Sequence, residues 1–139
     1  SFYGAGTSYN AGDGQFTGNV SAYYSDERLK TEIKTIINAL DKLKKIRGVT
    51  YKKNDLAKSL GYEGDEEEIG VIAQEVQKVA PQVVKLAPFD ATPGEPTKSK
   101  SGENYLTVQY EKLVPLLIQS VIELTEKVEA LENKLKDSE

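Results

Sequence analysis

The chain has 139 residues, 38% of them hydrophobic, with 18 basic and 22 acidic side chains and a formal charge of −4. This composition suits one modest folded domain with an appendage, and its mild acidity gives weak support to nucleic-acid or anionic-membrane binding. Cysteine and histidine are both absent, which excludes disulfides, thiolate nucleophiles, histidine general bases and most zinc sites.

No apolar run approaches the roughly 18 residues of a membrane-spanning helix, and the N-terminus has no signal-peptide pattern. The chain opens on Ser1 and contains no methionine, so a piece of a longer polypeptide is expected. Residues 1–24 hold five glycines and four tyrosines, with Asp13 as the only charge. Gln15–Thr17 and Asn19–Tyr23 read as short strands between glycine turns. Such a segment cannot bury a core alone. It is a flexible linker or the end of an intertwined β-rich stalk.

At Ser25 the chemistry changes to that of a helix. Ser25 and Asp26 suit an N-cap and Glu27 the first turn. Leu29, Ile33, Ile36, Ile37, Leu40, Leu43 and Ile46 recur at spacings of three and four, which predicts one amphipathic helix ending at Gly48. Val49–Tyr51 reads as a strand. Asn54–Glu68, with the acidic run Asp65–Glu68, reads as a solvated loop whose consecutive carboxylates lack calcium-loop spacing. Ile69–Ala73 reads as a buried strand or a strand-to-helix junction, Gln74–Val79 as a short helix stopped by Pro81, and Val83–Leu86 as a strand.

Residues 87–104 are rich in Pro, Gly, Ser and Thr and read as a long projecting loop or arm. Tyr105–Val108 is a further strand. Val114, Leu117, Val121, Leu124, Val128, Leu131 and Leu135 then alternate spacings of three and four. This is an unbroken heptad stripe, and it predicts a coiled-coil helix over 114–136 in a homo-oligomer, with Pro115 in its first turn. The pattern by itself does not specify three strands. The fold class expected is α+β: a β-rich stalk end over 1–24, a small mixed domain over 25–113 and a C-terminal coiled-coil helix over 114–139.

Without His or Cys, the plausible hydrolytic pair is a serine activated by a lysine. A lysine amine serves as the base once burial favours its neutral form. Ser25 lies where the glycine-rich segment meets the expected helix, and Lys30 follows five residues later. The chain can bend before the helix and bring the two together. The plain alternative makes Ser25 a cap and Lys30 a solvated lysine.

Four blocks carry a resemblance. They are Tyr24-Ser25-Asp26-Glu27-Arg28-Leu29-Lys30; Leu43 to Val49 with Tyr51; Ile69 to Val76 with Pro81; and Leu106-Thr107-Val108 with Tyr110 and Leu113 to Ile118. In this order they resemble the intramolecular chaperone, or peptidase S74, domain at the C-terminus of bacteriophage tail fibre, tailspike and neck-appendage proteins. The resemblance implies an intertwined homotrimer that helps an upstream shaft fold and then releases itself by autoproteolysis. It makes Ser25 and Lys30 the catalytic dyad and places the cut between Ser25 and Asp26. Local geometry favours the Tyr24–Ser25 bond instead, because Ser25 Oγ reaches the Tyr24 carbonyl through a five-membered ring and its own only through a four-membered one.

The implied partners are two further copies and the upstream fibre of the same polypeptide. No nucleic acid, membrane, metal, cofactor or small-molecule ligand is expected. The implied location is a virion precursor assembled in the bacterial host cytoplasm, with this domain released afterwards. The alternative function is a trimerisation or capping domain of a fibre that does not cleave.

Overall fold

A computed structural model describes residues 12–21 and 23–138. Helices α1 (Ala39–Leu43), α2 (Asp55–Ser59), α3 (Ala73–Val79) and α4 (Val114–Asp137) alternate with strands β1 (Val49–Tyr51), β2 (Glu68–Gly70), β3 (Val84–Leu86), β4 (Ala91–Thr92), β5 (Glu95–Ser99) and β6 (Leu106–Val108). The strands form three two-stranded antiparallel ladders, β1 with β2, β3 with β6 and β4 with β5. The molecule is therefore a mixed helix-and-sheet domain with one long C-terminal helix.

The core lies where α3 crosses the β3–β6 ladder. Val76, Val83, Val84 and Val108 are buried there, with Ile46, Val71, Ala73, Ala80, Leu106 and Leu113 against them. The buried hydrophobics among the described residues are all Ala or Val apart from Leu116. A core of such small side chains leaves a single chain with little apolar burial to offset its ordering entropy. Many larger side chains stand in solvent instead, among them the whole heptad series Val114, Leu117, Val121, Leu124, Val128, Leu131 and Leu135.

The adjoining face of α4, in its first three turns, is covered. Leu116 and Ser120 are buried, and Glu123, one further helical step along, accepts hydrogen bonds from the Ala39 and Leu40 amides at 2.9 and 2.8 Å. Asn38 at the start of α1 has φ +53° and gives no side-chain cap. A carboxylate from α4 thus replaces the local cap and satisfies the free amides of that helix end.

The long helix expected from Ser25 to Gly48 is not formed. A 3₁₀ turn spans Glu27–Leu29, no regular element follows until α1, and Leu29, Ile33 and Ile37 are 62%, 64% and 70% exposed. The segment also crowds β-branched side chains together at Thr31, Ile33, Thr35, Ile36 and Ile37. β-branched residues at so many of these positions disfavour helix and suit extended chain, and Lys30 is extended, with φ −120° and ψ 146°.

Three smaller corrections follow, the first two from local capping and turn chemistry. The expected loop Asn54–Glu68 contains α2, because Asn54 Oδ1 accepts from the Ala57 amide at 2.9 Å and Asp55 suits the first turn. The expected arm 87–104 is built rather than open: a 3₁₀ turn at Pro88–Asp90 leads into the β4–β5 hairpin. Pro93 and Gly94 turn that hairpin, Gly94 at φ +81°, a conformation that favours glycine. The strands expected at Gln15–Thr17 and Asn19–Tyr23 are not formed among the described residues, since a strand needs a partner that a single chain does not supply here. Part of that segment, 1–11 and Ala22, lies outside the described residues.

Asp90 organises the 87–105 segment. It is 1% exposed, and its carboxylate accepts from Ser99 Oγ at 2.7 Å and from the Ser101 and Tyr105 amides at 2.9 and 3.1 Å. Ser99 Oγ in turn accepts from the Gly102 and Asn104 amides. These bonds hold the Asp90 carboxyl down at about 2, the Ser99 hydroxyl contributing most.

Candidate active site

The site grows from the 3₁₀ turn at Glu27–Leu29. Asp26, not Ser25, is its N-cap: Asp26 Oδ1 accepts from the Arg28 amide at 2.9 Å. The turn closes when the Leu29 and Lys30 amides donate to the Asp26 and Glu27 carbonyls. Ser25 enters the turn and Lys30 leaves it in extended conformation, so side chains five residues apart meet on one side. The Lys30 ammonium donates to Ser25 Oγ at 2.9 Å. Both expected dyad residues are thus brought within hydrogen-bond distance, and both are exposed in the single chain.

On the C-terminal side of Ser25, Arg28 closes around Asp26. Its Nε donates to Oδ1 at 3.1 Å and its Nη2 to Oδ2 at 2.8 Å. These bonds hold the Asp26 carboxyl below the usual carboxylate range, the guanidinium contributing most. On the N-terminal side, Tyr23 and Tyr24 stack with ring centroids 4.6 Å apart. Tyr23 lies at φ +65°, and the Lys112 ammonium sits 5.5 Å from its ring centroid, within cation–π range. Ser25 therefore has local side-chain contacts on both of its flanks.

Arg28 and Lys112 were not singled out by the sequence reading. The Asp-x-Arg spacing at 26 and 28 carries a signal for the first, because a cap carboxylate and a guanidinium two residues on can share one turn. Lys112 comes from the chain just before α4, and no local pattern connects it to Tyr23. Among the described residues, no group of three or more Asp or Glu side chains converges as a metal site, and no helix is long and apolar enough to cross a membrane.

Residues 25–85 match the family model Peptidase_S74, described as chaperone of endosialidase. The match begins on Ser25. The chain is 39% identical over 111 residues to the long tail fiber protein Gp37 of Enterobacteria phage K3, which is 80% of this chain and 8% of that protein. It is 39% identical over 111 residues to Gp37 of Enterobacteria phage T2, covering 7% of it. It is 30% identical over 135 residues to Gp37 of Enterobacteria phage M1, 96% of this chain and 48% of that protein. The chain thus spans less than a tenth of the first two relatives and about half of the third. Residues 25–85 thus carry a domain of the peptidase S74 family, the chaperone of endosialidase, in a chain similar to parts of phage long tail fibre proteins.

Proposed function

We propose that this domain is the intramolecular chaperone of a phage tail fibre, that it assembles as a homotrimer, and that it releases itself by Ser25–Lys30 autoproteolysis. The observation that carries the catalytic part is the 2.9 Å hydrogen bond from Lys30 Nζ to Ser25 Oγ. The bare heptad face of α4 supports the assembly part: seven large apolar side chains in one stripe on a single chain are a surface for like helices. An intertwined fibre has many long-range pairings and folds slowly. A coiled coil forms locally, registers three chains and raises the effective concentration of their strands. Once the domain is cut away, the fibre's durability is kinetic. The β4–β5 hairpin is the candidate arm toward the stalk of residues 1–24. Synthesis and assembly take place in the bacterial host, before release.

In the chemical step Lys30, as the neutral amine, takes the Ser25 hydroxyl proton while Oγ attacks a peptide carbonyl carbon. The proton passes to the departing amide nitrogen as the C–N bond breaks. Water then hydrolyses the ester, restoring the hydroxyl and leaving a carboxylate. A cut between Ser25 and Asp26 uses the hydroxyl of a neighbouring copy. A cut between Tyr24 and Ser25 proceeds within one chain through the five-membered ring. Lys30 is exposed in the single chain, so assembly is the event that strips water from it and couples cleavage to completed folding.

That same exposure favours one second reading, a trimerisation cap that never cuts. Denaturing electrophoresis of a longer fibre polypeptide separates the two. Self-cleavage yields two bands from the wild type and one from Lys30→Ala, whereas a cap yields one band from both.

A further inference from the structure

We propose that Arg28 is a positioning residue for the Ser25–Lys30 pair: by occupying both carboxylate oxygens of Asp26, it leaves the Lys30 amine to the Ser25 hydroxyl. This inference rests on the self-cleavage reading above.

Asp26 adjoins Ser25 and lies four residues before Lys30. A carboxylate attracts an ammonium more strongly than a neutral hydroxyl does. Left free, Asp26 would compete with Ser25 for Lys30 and favour the protonated amine, which is not a base. The structure shows that competitor occupied. The Arg28 fork takes Oδ1 and Oδ2 at 3.1 and 2.8 Å, and the Arg28 amide takes Oδ1 again at 2.9 Å. Lys30 forms no ion pair among the described residues and donates to Ser25 alone, although Glu27 and Glu32 flank it.

Among the described residues, the further titratable groups in contact with this segment are the stacked Tyr23 and Tyr24 and, above the Tyr23 ring, Lys112. None is placed to neutralise Asp26. A planar guanidinium can satisfy two oxygens at once while the same carboxylate caps the Arg28 backbone amide, and a lysine at the same position would be a single point charge. The Arg28 side chain is 87% exposed. An ion pair so exposed adds little to stability, so its removal leaves the fold intact and its effect falls on the neighbouring pair.

The test is the pH profile of cleavage in a longer fibre polypeptide, for wild type, Arg28→Gln, Arg28→Lys and the double variant Arg28→Gln/Asp26→Asn. In Arg28→Gln the half-maximal pH rises by about one unit, which slows cleavage about tenfold at neutral pH. Arg28→Lys falls between, and the double variant returns to the wild-type profile. An Arg28→Gln profile that superimposes on the wild type, or a shift that Asp26→Asn does not reverse, overturns the proposal and leaves self-cleavage standing. An uncut wild type overturns self-cleavage itself. Nitrogen NMR of the Lys30 side chain in the full chain then decides the contact: its hydrogen bond to Ser25 is present in the wild type and lost in Arg28→Gln, or the proposal falls as well.

Discussion

Glu123 on α4 caps the first helix from 84 residues away, its carboxylate receiving the Ala39 amide at 2.9 Å. The relationship ties the C-terminal helix to the segment that leads out of the candidate site, since α1 begins nine residues after Lys30. Hydrogen bonds from the Leu40 and Ala39 amides hold the Glu123 carboxyl below its ordinary value of 4.5. A carboxyl lowered in the folded state contributes stability that is present above the ordinary value and is lost as pH falls through the folded one. Glu123→Ala therefore lowers the melting temperature at neutral pH. Thermal unfolding followed by circular dichroism across acid pH should show the gap to wild type closing as pH falls below the ordinary value of 4.5.

Asp90 makes a parallel case at lower pH. Its carboxyl lies at about 2, against an ordinary 3.8. Its contribution persists above that ordinary value and fades as pH falls toward about 2. Asp90→Asn removes the charge and turns one acceptor oxygen into a donor that faces the Ser99 hydroxyl and backbone amides. Hydrogen exchange at the Ser101 and Tyr105 amides should accelerate in that variant while the α3 amides keep their protection.

Val76 has no exposed surface and sits at the centre of the small core. Val76→Ala removes two methyl groups and leaves a cavity beside Val83, Val84 and Val108. Urea unfolding should show a loss of about 2 kcal/mol. In so small a core that is a large share of the total stability.

Ser120 predicts the opposite sign. It is 2% exposed, and its hydroxyl has no hydrogen-bond partner among the described residues. Ser120→Ala removes an unsatisfied buried polar atom and improves helix propensity. Stability should rise by about 0.5–1 kcal/mol. A drop of that size would show that the hydroxyl has a partner in the assembled fibre.

The heptad face predicts assembly. Leu124 stands half exposed midway along α4, and Leu124→Glu places a charge in the seam. Light scattering coupled to size exclusion should give the mass of three chains for the wild type and a smaller mass for the variant.

How much of this was legible in the letters depends on what held each element. Strand β6, helix α3 and helix α4 were readable to within a residue or two, because each stands between clear stop signals and, in α4, one heptad period runs unbroken along the helix. The 29–37 segment was not, since its apolar spacing fits a helix while its run of β-branched residues disfavours one. Asn54 and Pro93-Gly94 carried local signals for α2 and the hairpin that a composition-level reading of loops passed over. The Glu123 cap and the Lys112–Tyr23 contact join residues far apart in sequence, where no spacing rule reaches. At the site, the pairing of Ser25 with Lys30 was an expectation carried by the resemblance, since order and spacing alone also fit a cap and a solvated lysine. What brings them together is the Asp26-capped turn, a shorter device than the helix expected there.

The most direct measurement is the intact mass of a longer fibre polypeptide, wild type beside Ser25→Ala and Lys30→Ala. The account predicts two fragments from the wild type alone, with new ends within one residue of Ser25, and full-length chains from both variants. Full-length mass in all three, with the trimer intact, would contradict it and leave the Lys30–Ser25 hydrogen bond as part of a helix-turn cap.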